Sequence, residues 1–199
     1  NPLPYFKAMT ESADLEIGRL FDSIPTENLD NTIVIFIGDN GLNRRVIQSP
    51  YTAGQSKGSL YQGGVNVPFI IAGPGVTRIG ERESAIVSST DLFATIVELT
   101  GISQSRYQES HSLLHLLDAS GVTGREYNYT EVLGNNANSS GYAIRNSSYK
   151  LLKFDNGRHE FYDLVDAAYE KDELLTGALT DGQQLAREAL QNEAARIRD

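Results

Sequence analysis

The chain of 199 residues carries 17 Lys and Arg against 26 Asp and Glu, a formal net charge of −9, and 40% of it is hydrophobic. That apolar content supports a packed core and excludes wholesale disorder. No run approaches the roughly 20 apolar residues of a membrane span, and an acidic balance argues against a phosphate-backbone binder, so neither a transmembrane segment nor a nucleic-acid partner is expected.

Phe6, Met9, Ala13, Ile17, Leu20 and Ile24 recur at spacings of three and four and predict an amphipathic helix over about 4–24, ended by Pro25. Thr32-Ile33-Val34-Ile35-Phe36-Ile37 is β-branched without polar alternation, the pattern of a central strand buried on both faces in a parallel sheet. Gly38-Asp39-Asn40-Gly41 breaks it, and residues 41–64 read as a long polar loop of the kind that is usually functional or disordered. A second strand, Val67-Pro68-Phe69-Ile70-Ile71-Ala72, ends in Gly73-Pro74-Gly75. Ser88-Ser89-Thr90-Asp91 offers N-caps for a helix through Leu99 that Gly101 stops.

Beyond about residue 118 the composition shifts. Segments 125–133, 141–146, 149–154 and 159–164 are short and Tyr-rich, and they predict an antiparallel meander. Asn156-Gly157 marks a hairpin inside it. A helix follows over about 181–198. The fold class expected is α/β: part of a mostly parallel sheet with flanking helices over 1–118, then a small antiparallel-sheet subdomain with a C-terminal helix over 119–199. The chain opens on Asn1-Pro2-Leu3-Pro4 with no charged-then-apolar leader, and it reads as one entered partway through a larger sequence.

Two motifs could carry chemistry. Asp39-Asn40-Gly41 stands at the carboxyl end of a strand, where ligand sites of open α/β sheets lie. A carboxylate beside a carboxamide gives two hard oxygen donors, suited to Ca²⁺ or Mg²⁺; the same tripeptide is also ordinary turn chemistry. Lys57-Gly58 offers a compact cation for an oxyanion, flanked by glycines that let backbone approach a ligand. It reads equally as a solvated surface lysine. A Walker-type phosphate loop is excluded, because the order here is Ser56-Lys57-Gly58.

In order along the chain, Asp39-Asn40-Gly41, Lys57-Gly58, Tyr61-Gln62-Gly63-Gly64-Val65 and Val67-Pro68-Phe69-Ile70 resemble the sulfatase family of the alkaline phosphatase superfamily. Ser89-Thr90-Asp91-Leu92-Phe93 through Ile102, Ser112-Leu113-Leu114-His115-Leu116-Leu117, Tyr149-Lys150-Leu151 and Phe161-Tyr162-Asp163-Leu164 extend the likeness over nearly the whole chain, as the carboxyl-terminal portion of such an enzyme. The resemblance implies an alkaline-phosphatase-like fold and hydrolysis of a small sulfate ester or sulfated glycan. It implies Asp39 and Asn40 as two ligands of a single divalent cation, Ca²⁺ before Mg²⁺, and Lys57 as a catalytic, substrate-binding contact to the sulfate ester. It also implies a formylglycine nucleophile made from Cys or Ser in a Cys/Ser-x-Pro-x-Arg motif. That motif is absent, so the nucleophile is expected upstream and these residues alone are expected to be inactive. Gln62 replaces the acid common in the family's Tyr-x-Gly-Gly segment. The resemblance leans to a periplasmic, secreted or lysosomal location, and oligomeric state is unreadable.

Two rivals remain at this stage. A phosphodiesterase or phosphonate hydrolase of the same superfamily is disfavoured by Asn40, since those relatives resemble Asp-His there and prefer Zn²⁺. A non-catalytic module binding a sulfated glycan or a partner is the other. His111 and His115, four apart on an expected helix, could hold a metal but lack further ligands nearby. Asn128-Tyr129-Thr130, Asn138-Ser139-Ser140 and Asn146-Ser147-Ser148 match glycosylation acceptors, a short pattern that matters only in a secreted eukaryotic setting.

Overall fold

The computed structural model describes residues 1–102, 106–118, 124–137, 139–165 and 169–199. They form two compact units, Asn1–Ile79 and Gly80–Asp199. The division expected at 118–119 from the change in composition falls within the second unit, beside residues 119–123, which lie outside the described residues.

The first unit opens with α1 (Leu3–Ser23), whose end is fixed where Ile24 turns extended ahead of Pro25. A single turn, α2 (Thr26–Leu29), leads into β1 (Val34–Ile37). The long connection contains a 3₁₀ turn at Ala53–Gln55 and the one-turn helix α3 (Gln62–Val65), so the expected loop is partly structured. It returns to β2 (Phe69–Ala72), which pairs antiparallel with β1 in the register Val34↔Ala72 to Ile37↔Phe69. The parallel pairing that the apolar run suggested is therefore not found between these two strands. Parallel neighbours need a crossover, usually helical, and α3 is a single turn. Full burial of β1 is also corrected: the cross-strand partners Phe36 and Ile70 are 45% and 58% exposed. The stripe of α1 is likewise open, with Met9 at 70% and Leu20 at 59%.

In the second unit α4 (Asp91–Leu99) is followed by a two-residue ladder of β3 (Arg106–Tyr107) with β4 (Ser110–His111), and by α5 (Leu114–Asp118). No side chain of the Ser88–Thr90 run caps α4. The N–H groups of Asp91, Leu92 and Phe93 donate to the carbonyls of Ser88, Ser89 and Thr90, and the Ala94 N–H donates to Ser110 Oγ, which in turn donates to Thr90 O. The Asp91 carboxylate, 1% exposed, accepts from the Ser88 and His111 backbone N–H groups and from Arg125 at 2.6 Å.

The expected meander is a four-stranded antiparallel sheet in the order β5 (Asn128–Val132), β6 (Gly141–Arg145), β7 (Tyr149–Phe154) and β8 (His159–Asp163). Gly157 takes φ +87 in the β7–β8 turn, the conformation that makes Asn-Gly a hairpin signal. One face of the sheet presents Ile144, Leu151 and Phe161 to Leu190 and Ala194 of α6 (Asp181–Arg198), all five at 0% exposure. Thr180 and Gln183 form a capping box that starts α6. The tyrosines serve packing: the Tyr129–Tyr142 ring centroids lie 5.5 Å apart and those of Tyr149–Phe161 5.3 Å.

Candidate functional site

The sheet of the first unit delivers its chain reversal at Gly38. The Gly38 N–H donates to Pro68 O at 3.0 Å, extending the β1–β2 ladder by one rung before the chain turns through Asp39 and Asn40. Two further backbone bonds then strap this turn to the loop that follows. Gly41 N–H donates to Gly64 O at 2.9 Å, and Lys57 N–H donates to Leu42 O at 2.9 Å. The two motifs separated by a long stretch of sequence are thus joined through their main chains.

Glycine is needed where the straps close. A Cβ on Gly41 would stand 2.0 Å from Gly63 O, and one on Gly64 2.4 Å from Ser59 O and 2.6 Å from Ser59 Oγ. Neither could be accommodated without moving backbone. Leu60, 1% exposed, pins the loop from inside, and Ser56 is buried with its hydroxyl donating to Ala53 O. Gln62, which stands where the family commonly has an acid, is buried at 7% exposure. Ser59 Oγ is buried without a hydrogen-bond partner.

By contrast Asp39 and Lys57 are exposed and Asn40 half-buried. The straps fix the main chain of the Asp39-Asn40 turn and of the lysine loop, while the two charged side chains stay in contact with solvent. Carboxylate and carboxamide oxygens are hard donors that fit Ca²⁺ or Mg²⁺, but they are two of the six or more such an ion takes. Among the described residues no group of three His, Cys, Asp or Glu side chains assembles a site. Asp39 and Asn40 therefore fit as part of a ligand set.

The other metal candidate fails. His111 lies in β4 and His115 in α5, so the pair shares no helix and the one-turn spacing has no geometric meaning. His111 is instead engaged through its backbone with Asp91, and burial lowers its pKa from the usual 6.5, with Arg125 acting in the same direction. His159 begins β8. Two buried ion pairs in the second unit went unread in the sequence, Asp91–Arg125 and Lys150–Glu170, each at 2.6 Å. Their sign was available for Lys150: in Tyr149-Lys150-Leu151-Leu152 the alternation puts it on the same face as Leu152, away from water.

Comparison with known proteins bears on this arrangement. The family model described as Sulfatase matches residues 3–102, and the one described as N-sulphoglucosamine sulphohydrolase, C-terminal, matches residues 55–197. Arylsulfatase K of Danio rerio is 28% identical over 175 residues, 85% of this chain and 32% of that protein. Arylsulfatase K of Mus musculus is 26% identical over 178 residues, 85% of this chain and 31% of that protein. The chain thus spans about a third of the length of the curated relatives it matches. Among solved structures, BT4656 in complex with its substrate D-glucosamine-2-N,6-O-disulfate superposes with a TM-score of 0.79 at 24% identity, over 96% of this chain and 40% of that one. That likeness shows the fold: a mixed α/β architecture with a small antiparallel sheet and a C-terminal helix.

Proposed function

The chain belongs to the sulfatase family, and from that premise we propose that it forms the carboxyl-terminal part of a sulfuric ester hydrolase, residues 1–118 completing the catalytic α/β domain and 119–199 forming the small terminal subdomain. The observation that carries this reading is the double strap, Gly41 to Gly64 and Lys57 to Leu42, that holds the Asp39-Asn40 turn against the lysine loop.

In this reading each residue has a task set by its chemistry. Asp39 and Asn40 supply two oxygen ligands to a divalent cation, Ca²⁺ in the first place and Mg²⁺ in the second. When bound, that ion would neutralise charge on the sulfuryl oxygens. The Lys57 ammonium donates to the sulfate ester, holding it and countering charge that grows on its oxygens as the ester bond breaks. The strapped backbone keeps the lysine's Cα at a fixed distance from the turn, which preserves alignment without any side-chain contact between them. The nucleophile, a formylglycine in this family, lies outside these residues, since no cysteine and no Ser-x-Pro-x-Arg motif occurs among them.

The open faces of α1 and of the β1–β2 ribbon support the same reading, for Met9, Phe36 and Ile70 are apolar surface suited to burial under further protein. The substrate class proposed is a sulfate ester, free or carried on a glycan, and the resemblance leans to a periplasmic, secreted or lysosomal location. No helix among the described residues is long and apolar enough to cross a membrane. Assay of an aryl sulfate tests the proposal. The complete protein turns it over and the Lys57→Ala form is slowed about 10²–10³-fold, while residues 1–199 alone are inert. Turnover by those residues alone, or full activity without Lys57, contradicts it.

A further inference from the structure

Three sequons occur in the chain, and the structure treats the two it describes in opposite ways. In Asn128-Tyr129-Thr130 the acceptor nitrogen is consumed: Asn128 Nδ2 donates to Val87 O at 3.0 Å, and Asn128 Oδ1 is buried without a partner. A sugar on that nitrogen would break the bond and demand space inside the unit. Asn138 lies outside the described residues.

Asn146-Ser147-Ser148 is the whole connection between β6 and β7. Every polar atom of Asn146 but one is already engaged. Its N–H donates to Tyr149 O at 3.0 Å, its carbonyl accepts from Arg145 Nε at 3.1 Å, and Oδ1 accepts from the N–H groups of Ser148 at 2.9 Å and Tyr149 at 2.7 Å. The remaining atom, Nδ2, makes no hydrogen bond and is not among the buried unpartnered atoms, so it is open to water. The two bonds to Oδ1 fix the amide plane at the tip of an ordered hairpin, and Ser147 beside it is exposed.

We infer that Asn146 is an N-glycan acceptor of this chain and that Asn128 is not. The donor class is an oligosaccharide carried on a polyprenyl diphosphate. Nδ2 forms a bond to the anomeric carbon of the first sugar, the bond from that carbon to the diphosphate oxygen breaks, the diphosphate departs with the electron pair, and Nδ2 gives up one proton. The fold accepts the adduct unchanged, because none of the bonds that shape the turn uses Nδ2. This inference concerns a hairpin of the second unit and rests on the proposed reading only for the chain's entry into a secretory compartment.

The test is site mapping of the full chain made in a host that N-glycosylates secreted proteins. Enzymatic removal of the glycan in ¹⁸O water converts an occupied Asn to labelled Asp, read by mass spectrometry on total chain, secreted and retained. The label is expected at Asn146 and not at Asn128. Ser148→Ala, which destroys the sequon yet leaves both Oδ1 bonds in place, is expected to remove that label and one glycan step in electrophoretic mobility. An unlabelled Asn146, or a labelled Asn128, overturns the inference.

Discussion

The N–H of Gly41 donates to the carbonyl of Gly64 at 2.9 Å, and the approach is so close that a Cβ on Gly41 would lie 2.0 Å from Gly63 O. This contact sets the position of Asp39 and Asn40 without involving either. Gly41→Ala is therefore expected to act as a positioning change. A displacement of about 1 Å at a reacting group can cost about 10²-fold, and the complete protein carrying this variant should lose turnover on that scale while its thermal midpoint moves far less than its activity. Ala at Gly58, where a Cβ meets nothing within 4 Å, is the comparison. Its φ of +83 strains Ala locally, yet no strap is broken, and activity should suffer less.

The second unit is held by a buried charge pair. Lys150 Nζ donates to Glu170 Oε1 at 2.6 Å, with side-chain exposures of 2% and 0%. Burial pulls the lysine below its usual pKa, and the carboxylate opposes that pull. Glu170→Gln removes the carboxylate to which Lys150 donates, and urea unfolding of the chain should show a loss of about 3–5 kcal/mol. The double variant Lys150→Met with Glu170→Leu should recover most of it, because two desolvated charges vanish together. Equal losses for the single and double variants would contradict this account.

His111 gives the chain an acid-sensitive term. Its pKa is lowered from 6.5 chiefly by burial, then by Arg125 and Arg106, with Asp91 and Glu109 opposing. As pH falls through 6.5 the unfolded chain takes up a proton that the folded chain refuses, so stability present above that value is progressively lost below it. His111→Gln removes the term. The gap in thermal midpoint between the wild type and this variant should narrow as pH is lowered from neutrality toward 5, and a gap independent of pH would contradict the assignment.

How far the sequence revealed this molecule depends on the range of the forces involved. The four-stranded sheet was readable because its signals are local: short Tyr-rich segments parted by Asn, Ser and Gly clusters, and the Asn156-Gly157 hairpin turn. The end of α1 was readable for the same reason, through Pro25. The bounds of α4 were readable too, from the Ser88–Asp91 run and Gly101, whereas the bonds that Ser110 and Arg125 make to it were not, both residues being remote in sequence. The helical pairing of His111 with His115 failed because a two-residue ladder to Arg106–Tyr107 interrupts it. At the candidate site the residue types at positions 39, 40 and 57 were legible, whereas the glycine contacts that tie them together depend on chain crossings that no local pattern encodes.

The central claim is that the Asp39-Asn40 oxygens and the Lys57 ammonium meet on one anionic ester. A crystal structure of the complete protein with Ca²⁺ and a non-hydrolysable sulfate ester tests it directly. Oxygens of Asp39 and Asn40 are expected at about 2.3–2.6 Å from one cation, with Lys57 Nζ in hydrogen-bond contact with the same sulfate. Lys57 directed to another face, with the sulfate seated away from this turn, would contradict the account.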